Sequence, residues 1–337
     1  MDLLRHRVLF RSYIDLNGGD AVDANRKVPE LSLMSFVNGT NNDKTRFVDN
    51  LFSGLKDYGF IVLEDHPVDH KLTQKAYNLI HEFFQLPEAK KREYVCKEGG
   101  GQRGYTAFGV EHAKNSQYPD LKEFWHVGRD TLVDPKLKGF FPDNIWPSEV
   151  KEFKETFLQF YNALDTTSIV ILDALGMALD LPQSYFRSML QDGNSILRPI
   201  HYPPLAAGAP KNSVRAAAHE DINLITVMVG ATTSGLELLD RDGKWLPIKT
   251  NEKQLVIDSG DMLSRITNDV LPATTHRVVN PDVDTTNRYS MPFFVHPNPD
   301  TVLSCIPSCR GEGEKYPAIN SHEWLMVRLK EIGLLKK

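Results

Sequence analysis

The feature that most constrains the fold is a change in hydrophobic period near residue 195. Beyond that point, short segments of alternating apolar and polar residues follow one another, separated by turn signals such as Arg241-Asp242-Gly243-Lys244. Many short strands at regular spacing are typical of a jelly roll or barrel. The predicted strands cover residues 197–202, 223–229, 236–239, 245–248, 255–257, 274–278 and 288–295.

Before residue 195, apolar residues recur mainly at helical spacing. Helices are predicted at 43–58, from Asp69 to the residue before Pro87, at 148–179 and at 184–190, with a last helix at 321–333. Strands are predicted at 28–33, 60–63 and 120–127. The whole pattern predicts an α+β fold with a mainly β core, and the helix at 148–179 is long enough to lie as a spine against a sheet.

These changes of pattern predict four segments along the chain. They are a mobile N-terminal arm at 1–27, a region of helices and strands at 28–195, a jelly-roll core at 196–300, and a closing strand and helix at 301–337. The arm is predicted from its polar stretch Asn17-Gly18-Gly19-Asp20, which is typical of a mobile terminus.

Composition limits the kinds of partner that we expect. The 337 residues carry a net charge of -5 and show no dense Lys/Arg stripe, which argues against nucleic acid and anionic membranes as partners. No run of about eighteen apolar residues occurs, so no membrane span is predicted. The three cysteines, Cys96, Cys305 and Cys309, lack zinc-site spacing and favour reduced thiols in a cytosolic protein over a disulfide. We therefore expect a soluble cytoplasmic protein; its oligomeric state is open, with a monomer favoured.

His219, Asp221 and His276 form a candidate metal site. Alternate residues of a strand share a face, so His219 and Asp221 are expected to point the same way. His276 follows after enough predicted strands for the chain to return beside them. Two imidazoles and one carboxylate can bind one face of a divalent iron and leave three positions for small ligands. Taken alone, His276 could equally be a half-buried histidine satisfied by hydrogen bonds.

Arg288 and Ser290 form a candidate anion site just downstream. An arginine on a strand that faces a barrel interior is unfavourable unless it meets a carboxylate, and few acidic residues neighbour it in sequence. Ser290 lies two residues on, hence on the same face, and offers a hydroxyl donor. The pair therefore predicts that an organic acid binds beside the metal.

The order His219-x-Asp221, His276 and Arg288-x-Ser290 resembles the non-haem iron oxygenases of the isopenicillin N synthase-like superfamily. The resemblance extends over roughly residues 28–333 and rests on several motifs in the family's order. Pro67 stands where the family usually has a glycine after the histidine. The further matching segments are Gly59-Phe60 with His66, Phe83-Phe84-Gln85-Leu86-Pro87, Gly104-Tyr105, Asp120-Leu121-Lys122-Glu123-Phe124, His201-Tyr202-Pro203-Pro204 and Thr275-His276-Arg277-Val278.

The resemblance implies a double-stranded β-helix, or jelly roll, flanked by N-terminal and spine helices and a C-terminal helix. It also implies a non-haem Fe(II)- and 2-oxoglutarate-dependent dioxygenase, an oxidoreductase that uses O₂ to oxidise a small organic molecule and releases succinate and CO₂. His219, Asp221 and His276 would then be the iron ligands.

The resemblance also implies which residues hold the co-substrate. Arg288 and Ser290 would bind the distal carboxylate of 2-oxoglutarate, and Tyr202 would reach the same carboxylate. Val278 would pack on its carbon chain. A guanidinium paired with a carboxylate in two parallel hydrogen bonds is not replaced by lysine.

Residues for the oxidised substrate are predicted by position only. Gln102, Arg103 and Tyr105 belong to a glycine-rich loop that lacks the ending of a phosphate-binding loop and is expected to face a pocket. Phe124, Phe294 and residues near Trp324 in the C-terminal helix are the other candidates. For each of them, simple packing is at least an equal alternative.

Three other functions are compatible with parts of the pattern. The nearest is an iron oxidase of the isopenicillin N synthase or aminocyclopropane-carboxylate oxidase type, which needs no 2-oxoglutarate. A barrel that binds metal without catalysis is a second, and the intact set of three candidate ligands argues against it. A metal hydrolase is a third, and it would leave Arg288 without a role.

Overall fold

Two β-sheets form the centre of the protein in the computed structural model. It describes residues 26–96, 101–111, 120–204, 214–280 and 287–331, so the predicted arm at 1–27 lies almost wholly outside the described residues. The strands are β1 Glu30–Ser32, β2 Phe60–Glu64, β3 Gly104–Thr106, β4 Glu123–Gly128, β5 Ile196–Leu197, β6 Ile200–Tyr202, β7 Ala216–His219, β8 Ile225–Val229, β9 Leu236–Leu239, β10 Trp245–Pro247, β11 Leu255–Ser259, β12 His276–Val278, β13 Arg288–Val295, β14 Val302–Leu303 and β15 Ile319–Asn320.

The larger sheet has nine strands and draws on both halves of the chain. Its order is β1-β2-β11-β8-β13-β5-β4-β3, and β6 joins it by pairing with β13 and β4. The smaller sheet has four strands in the order β10-β9-β12-β7. β14 and β15 form a separate two-stranded ribbon. Strands from 28–195 and from 196–300 thus share one sheet.

Helices flank the sheets, as predicted. They are α1 Leu33–Asn38, α2 Asn41–Tyr58, α3 His70–Phe84, α4 Glu88–Lys91, α5 Phe153–Ala178, α6 Ser184–Leu190, α7 Asp261–Ile266 and α8 Ser321–Glu331. The spine helix α5 packs against α2, α3, β4 and β13. None of the helices in the described ranges is long and apolar enough to cross a membrane.

Local sequence explains where α2 begins and ends. α2 starts with a capping box between Thr40 and Asp43, which satisfies free backbone N–H groups of its first turn. It ends at Gly59, whose φ of 69° lies in the left-handed region. A Cβ on Gly59 would lie 2.0 Å from the Thr274 hydroxyl, so only glycine fits there.

An aromatic cluster between α3, β4 and α5 holds the helical layer to the larger sheet. The Phe83 ring meets Trp125 edge to face at a centroid distance of 4.7 Å. Phe153 and Phe157 follow at 4.3 Å from one another, and each of these four side chains is essentially inaccessible to solvent. Such rings bury large apolar areas, and their edge-to-face contacts add specificity.

The predicted single strand at 197–202 is wrong, because the structure divides it into β5 and β6. Pro199 lies at the break and has no N–H to give to a sheet ladder. Arg198 next to it still donates its backbone N–H to Pro292 of β13, at 2.8 Å. The ladder with β13 is therefore interrupted at Pro199 and resumes at Ile200.

Candidate active site

The pairing of β7 with β12 brings two histidines together. His219 and His276 are register partners across the two antiparallel strands, and their ring centroids lie 4.4 Å apart. Asp221 follows β7 directly, and its Oδ1 lies 3.6 Å from Nε2 of His219 and 3.8 Å from Nε2 of His276. One potential ligand atom from each of the three residues lies within 4.8 Å of the other two. Among the described residues, these three form the cluster that could hold a metal ion.

Hydrogen bonds to carbonyl groups select the ring nitrogens that face the centre of this cluster. Nδ1 of His219 lies 2.7 Å from the Ala217 carbonyl, and Nδ1 of His276 lies 3.2 Å from the Thr274 carbonyl. A carbonyl can only accept, so both Nδ1 atoms carry the proton and both Nε2 atoms have a free lone pair. Both lone pairs are therefore available to a cation next to Asp221.

The protonation states suit a metal ion. Burial, together with nearby His219, lowers the pKa of His276 to about 4, which keeps its imidazole neutral. Burial alone would raise the pKa of Asp221, but the two histidines, a hydrogen bond from Thr226 and the charge of Arg198 outweigh it and lower the pKa. Neutral imidazoles and an ionised carboxylate are the forms that bind metals.

The distances from the Asp221 oxygen to each imidazole nitrogen also suit binding to one ion. Two donors that are each about 2.1 Å from an ion can be at most about 4.2 Å apart, and the measured 3.6 and 3.8 Å lie within that limit. Thr226 donates its hydroxyl proton to Asp221 and in turn accepts from Asn223 at 2.8 Å. These bonds fix the carboxylate toward the histidines.

Asp258 of β11 lies behind one histidine. Its Oδ2 is 3.6 Å from Nδ1 of His276, and the side chain is buried. Neither of its carboxylate oxygens accepts a hydrogen bond from a donor in the described part of the chain. Burial, and then the charge of Asp221, raise the pKa of Asp258 well above its usual range.

Arg288 provides a cation at the other end of the same cavity. The side chain is only 1% exposed, and it lies opposite Tyr202 in the register of β13 with β6. Its guanidinium lies 4.8 Å from the Tyr202 ring centroid and donates to the Ser290 hydroxyl at 3.4 Å and to the Thr233 carbonyl at 3.3 Å. No carboxylate of the described residues pairs with it. A buried guanidinium without a counter-ion is a receptor for an anion.

The metal cluster and the Arg288 region open into one cavity of about 700 Å³. Val278 and Ser290 belong to its wall, as do the predicted substrate candidates Gln102, Tyr105, Phe124 and Phe294. The hydroxyl of Tyr105 is already engaged, because it donates to Glu123 in a buried network. Gln102 accepts a hydrogen bond from Asn194 at 3.1 Å.

Arg103 does not lie where the sequence suggested. It is absent from the cavity wall, and its side chain is completely buried, with Nη1 donating to the Gln102 carbonyl. A Cβ on Gly128 would lie 1.9 Å from its guanidinium carbon, so that glycine creates the space that the arginine fills. The expectation of a loop arginine that faces the pocket is wrong, because the side chain turns inward beneath β4.

Sequence reasoning missed a group of charged residues on the cavity wall. Arg198 is the central one, and it lines the cavity together with Glu111, Asp120, Lys122 and His126. The sequence signal that could have drawn attention to Arg198 is the proline that follows it inside the predicted strand 197–202. A proline there indicates that the hydrogen-bonded ladder of the strand is interrupted. The C-terminal helix adds Leu325, Arg328 and Leu329 to the wall.

The fold and this site together define a class of protein: a non-haem oxygenase with two histidines and one carboxylate. Residues 28–149 match the family described as "non-haem dioxygenase in morphine synthesis N-terminal". Residues 193–297 match the "2OG-Fe(II) oxygenase superfamily". The chain belongs to this 2-oxoglutarate- and Fe(II)-dependent oxygenase superfamily.

Individual relatives agree with this assignment over most of their length. A Monascus ruber protein called a 2-oxoglutarate-dependent dioxygenase is 30% identical over 314 residues, which cover 89% of this chain and 94% of the relative. A solved 2OG-Fe(II) oxygenase family protein from Caulobacter crescentus is 42% identical, with a TM-score of 0.81 and coverage of 90% and 98%. A Neurospora crassa enzyme solved with alpha-KG (2-oxoglutarate) and thymine is 28% identical, with a TM-score of 0.81 and coverage of 90% and 96%.

Two sequence predictions are thereby confirmed. The fold is a jelly-roll oxygenase fold with flanking helices. The protein is a dioxygenase and oxidoreductase that depends on Fe(II), 2-oxoglutarate and O₂.

Proposed function

We propose that His219, Asp221 and His276 bind the Fe(II) ion of this dioxygenase. The support is the convergence of two Nε2 lone pairs and one ionised carboxylate at distances that suit one ion. The ring nitrogens are held in the required tautomer by backbone carbonyls before any metal arrives. Such preorganised ligands lower the cost of ordering the site when the metal binds.

We also propose that Arg288, Ser290 and Tyr202 hold the distal carboxylate of 2-oxoglutarate, with Val278 beside its carbon chain. The observation that carries this proposal is the buried Arg288 guanidinium without a carboxylate partner among the described residues. A 2-oxo acid that extends from the metal cluster would bring its far carboxylate to this cation through charge-assisted hydrogen bonds. The resulting ion pair relieves the cost of burying the arginine.

The residues of the chain then carry out binding and orientation. When bound, Fe(II) supplies the redox chemistry by which O₂ and 2-oxoglutarate give succinate, CO₂ and an oxidised substrate. Arg288 fixes one end of the co-substrate, so that its 2-oxo acid end reaches the ligand cluster. Apolar side chains such as Val278 and Leu236 on the smaller sheet line the cavity and exclude water from that region.

The cavity volume and the relatives indicate the size of the substrate. The Neurospora crassa relative has been solved with thymine and with 5-formyluracil. A cavity of about 700 Å³ has room for 2-oxoglutarate and a second molecule of that kind. We therefore propose a substrate of about the size of a single small ring with substituents.

An anaerobic titration tests the ligand assignment. Replacing His219, Asp221 or His276 by alanine should weaken Fe(II) binding by more than about 100-fold. This is more than the usual loss of metal affinity when a residue that only supports a ligand is replaced. Calorimetry measures this, with circular dichroism to verify folding. His66→Ala is the control, since His66 bonds the Lys253 carbonyl away from the cavity. Fe(II) affinity of the wild-type level in any of the three would contradict the assignment.

A titration of 2-oxoglutarate into the Fe(II)-loaded protein tests the anion site. Arg288→Lys keeps the charge but loses the planar pair of donors, so 2-oxoglutarate should bind at least about tenfold more weakly. Unchanged 2-oxoglutarate affinity would show that Arg288 is structural.

We further propose that the protein works in the cytoplasm and as a monomer. Cys305 and Cys309 form no disulfide bond within the described part of the chain, which suits a reducing compartment. Fractionation of the source cells and sedimentation of the purified chain test these two points; an organelle signal or a stable dimer would contradict them.

A further inference from the structure

Arg198 and Arg288 both line the cavity and differ in their partners. Arg288 meets no carboxylate among the described residues, whereas Arg198, on the same nine-stranded side of the cavity, is paired with Glu111. The Arg198 guanidinium lies between two aromatic rings, 4.5 Å from the Phe124 centroid and 4.9 Å from the Phe294 centroid. It lines the same cavity as the candidate metal ligands His219, Asp221 and His276.

Hydrogen bonds fix two of the three nitrogens of Arg198. Nε donates to Nε2 of His126, whose Nδ1 lies 2.8 Å from the Gly101 carbonyl. That carbonyl can only accept, so Nδ1 carries the proton and Nε2 is free to accept from the arginine. Nη1 donates to both carboxylate oxygens of Glu111 at 3.3 Å. Nη2 has no hydrogen-bond partner within the described ranges, and it belongs to a side chain that lines the cavity.

The charges around Arg198 are already balanced. Nζ of Lys122 lies 2.8 Å from Asp120 and 3.8 Å from Glu111. Burial alone would raise the pKa of Glu111, but Arg198 and then Lys122 outweigh it and lower the pKa to about 2, which keeps the carboxylate ionised. Two cations therefore meet two carboxylates in a buried cluster. A further anion here would face those carboxylates without an unpaired cation to receive it.

We infer that Arg198 determines specificity by accepting an uncharged, planar, carbonyl-bearing ring as the substrate. The free Nη2 edge is a donor, and a carbonyl oxygen satisfies it without adding charge. Phe124 and Phe294 pack on the guanidinium and also line the cavity, so a planar molecule such as a cyclic amide that meets the Nη2 edge would lie beside aromatic side chains. The inference rests on the proposed function, since it names the substrate class of the same cavity.

Thymine and orotate test the inference, because both are pyrimidinediones and only orotate carries a carboxylate. The full chain is loaded with Fe(II) and 2-oxoglutarate under anaerobic conditions, and each ring is titrated by calorimetry. Thymine should bind at least about tenfold more tightly than orotate. Equal or tighter binding of orotate would overturn the inference, and so would the absence of binding by both rings.

Two variants separate the contribution of shape from that of charge. Arg198→Lys keeps the charge but loses the planar donor edge, so thymine affinity should fall about tenfold or more. Arg129→Lys is the matched control, because Arg129 also pairs with a carboxylate and lies over a ring, with 17% side-chain exposure against 16% for Arg198. Arg129 does not line the cavity. An equal loss in both variants would overturn the assigned role.

Glu111→Gln removes one carboxylate and leaves the arginine uncompensated. The ratio of thymine affinity to orotate affinity should then fall by about tenfold or more, since a cation becomes available to the carboxylate. An unchanged ratio would refute the charge balance as the source of specificity.

Binding of Fe(II) and 2-oxoglutarate to the wild type is measured before either ring is added, and this measurement distinguishes the two proposals. If neither Fe(II) nor 2-oxoglutarate binds, the proposed function is contradicted. If both bind and the protein prefers orotate, only this inference is contradicted.

Discussion

At the level of single residues, the two candidate histidine ligands differ in what lies behind them. Among the described residues, Nδ1 of His219 has the Ala217 carbonyl as its partner, whereas Nδ1 of His276 has both the Thr274 carbonyl and the carboxyl group of Asp258 near it. A carboxylate beyond a metal-bound imidazole fixes the ring and raises its basicity. Asp258 is therefore placed to orient His276.

Removal of the Asp258 carboxylate should weaken metal binding. In Asp258→Leu, Fe(II) affinity is expected to fall by about 10- to 100-fold, the usual range for a residue that supports a metal ligand. Asp258→Asn keeps an oxygen acceptor and should lose less. Anaerobic Fe(II) titration measures both, with Asp165→Asn, far from the cavity, as the control. Equal affinities in all three variants would contradict the orienting role.

Glu111 should make stability depend on pH in a predictable direction. Its pKa is lowered from 4.5 to about 2, so its stabilisation is complete above the unfolded-state pKa and is lost as pH falls through about 2. At about pH 7, Glu111→Gln should reduce the free energy of unfolding by up to about 3 kcal/mol. The difference between wild type and variant should narrow as pH falls from about 5 to 3. Urea unfolding across this range checks the sign, and a constant difference would contradict it.

At the level of elements, α8 is held to α7 by a compact group of contacts. The Trp324 indole donates to Asp261 at 3.1 Å, and Arg328 pairs with the same carboxylate at 2.9 Å. Arg265 lies over the Trp324 ring at 4.6 Å. α8 also contributes Leu325 to the cavity wall. These contacts therefore hold that part of the wall in position.

Trp324→Ala should loosen α8 without disturbing the metal cluster. The variant loses the indole hydrogen bond and the stacking partner of Arg265, so amide exchange across residues 321–331 should accelerate at least about tenfold. Fe(II) affinity should stay within about twofold, because the candidate ligands lie on other elements. Hydrogen-exchange mass spectrometry measures the first effect. Faster exchange at β7 and β12 as well would show a global rather than a local change.

The periodic elements could be predicted from sequence, and the break between β5 and β6 could not. β9, α6 and β13 have the predicted limits because each is bounded by turn residues and has a clear period. The prediction at 197–202 failed because hydrophobic alternation hid the effect of Pro199 on the ladder. Arg103 was misplaced for a similar reason, since nothing local shows that Gly128 leaves space for a guanidinium.

The candidate metal and anion residues could be found because their spacing follows strand geometry. His276 and Arg288 lie on strands β12 and β13, which fall within the predicted strands 274–278 and 288–295. The charged wall around Arg198 depends on contacts between segments that are distant in sequence, such as Glu111 with Arg198 and Asp120 with Lys122 beside it. The segment boundaries at 27, 195 and 300 stay predictions, although strands from both sides of residue 195 share the larger sheet.

At the level of the whole molecule, ligand binding should be visible as stability. A ligand that binds only the folded state at about 100 times its Kd adds about 2.7 kcal/mol to the free energy of unfolding. Anaerobic Fe(II) should therefore raise Tm by several degrees, and 2-oxoglutarate should add to that rise. A chelator should reverse both effects, and His276→Ala should show neither. Scanning calorimetry measures the shifts, and a Tm indifferent to Fe(II) would contradict a preformed site.

The two sheets carry different parts of the cavity, and this separation has a consequence for how such an enzyme can diversify. The histidines lie on the four-stranded sheet, whereas Arg198, Phe124 and Phe294 belong to the nine-stranded side. Arg198 bonds to β13 through its backbone N–H, so a different side chain at this position leaves that hydrogen bond in place. New substrates can therefore be explored by single changes at residues such as Arg198 on the nine-stranded side, while the two histidines on the other sheet are inherited intact.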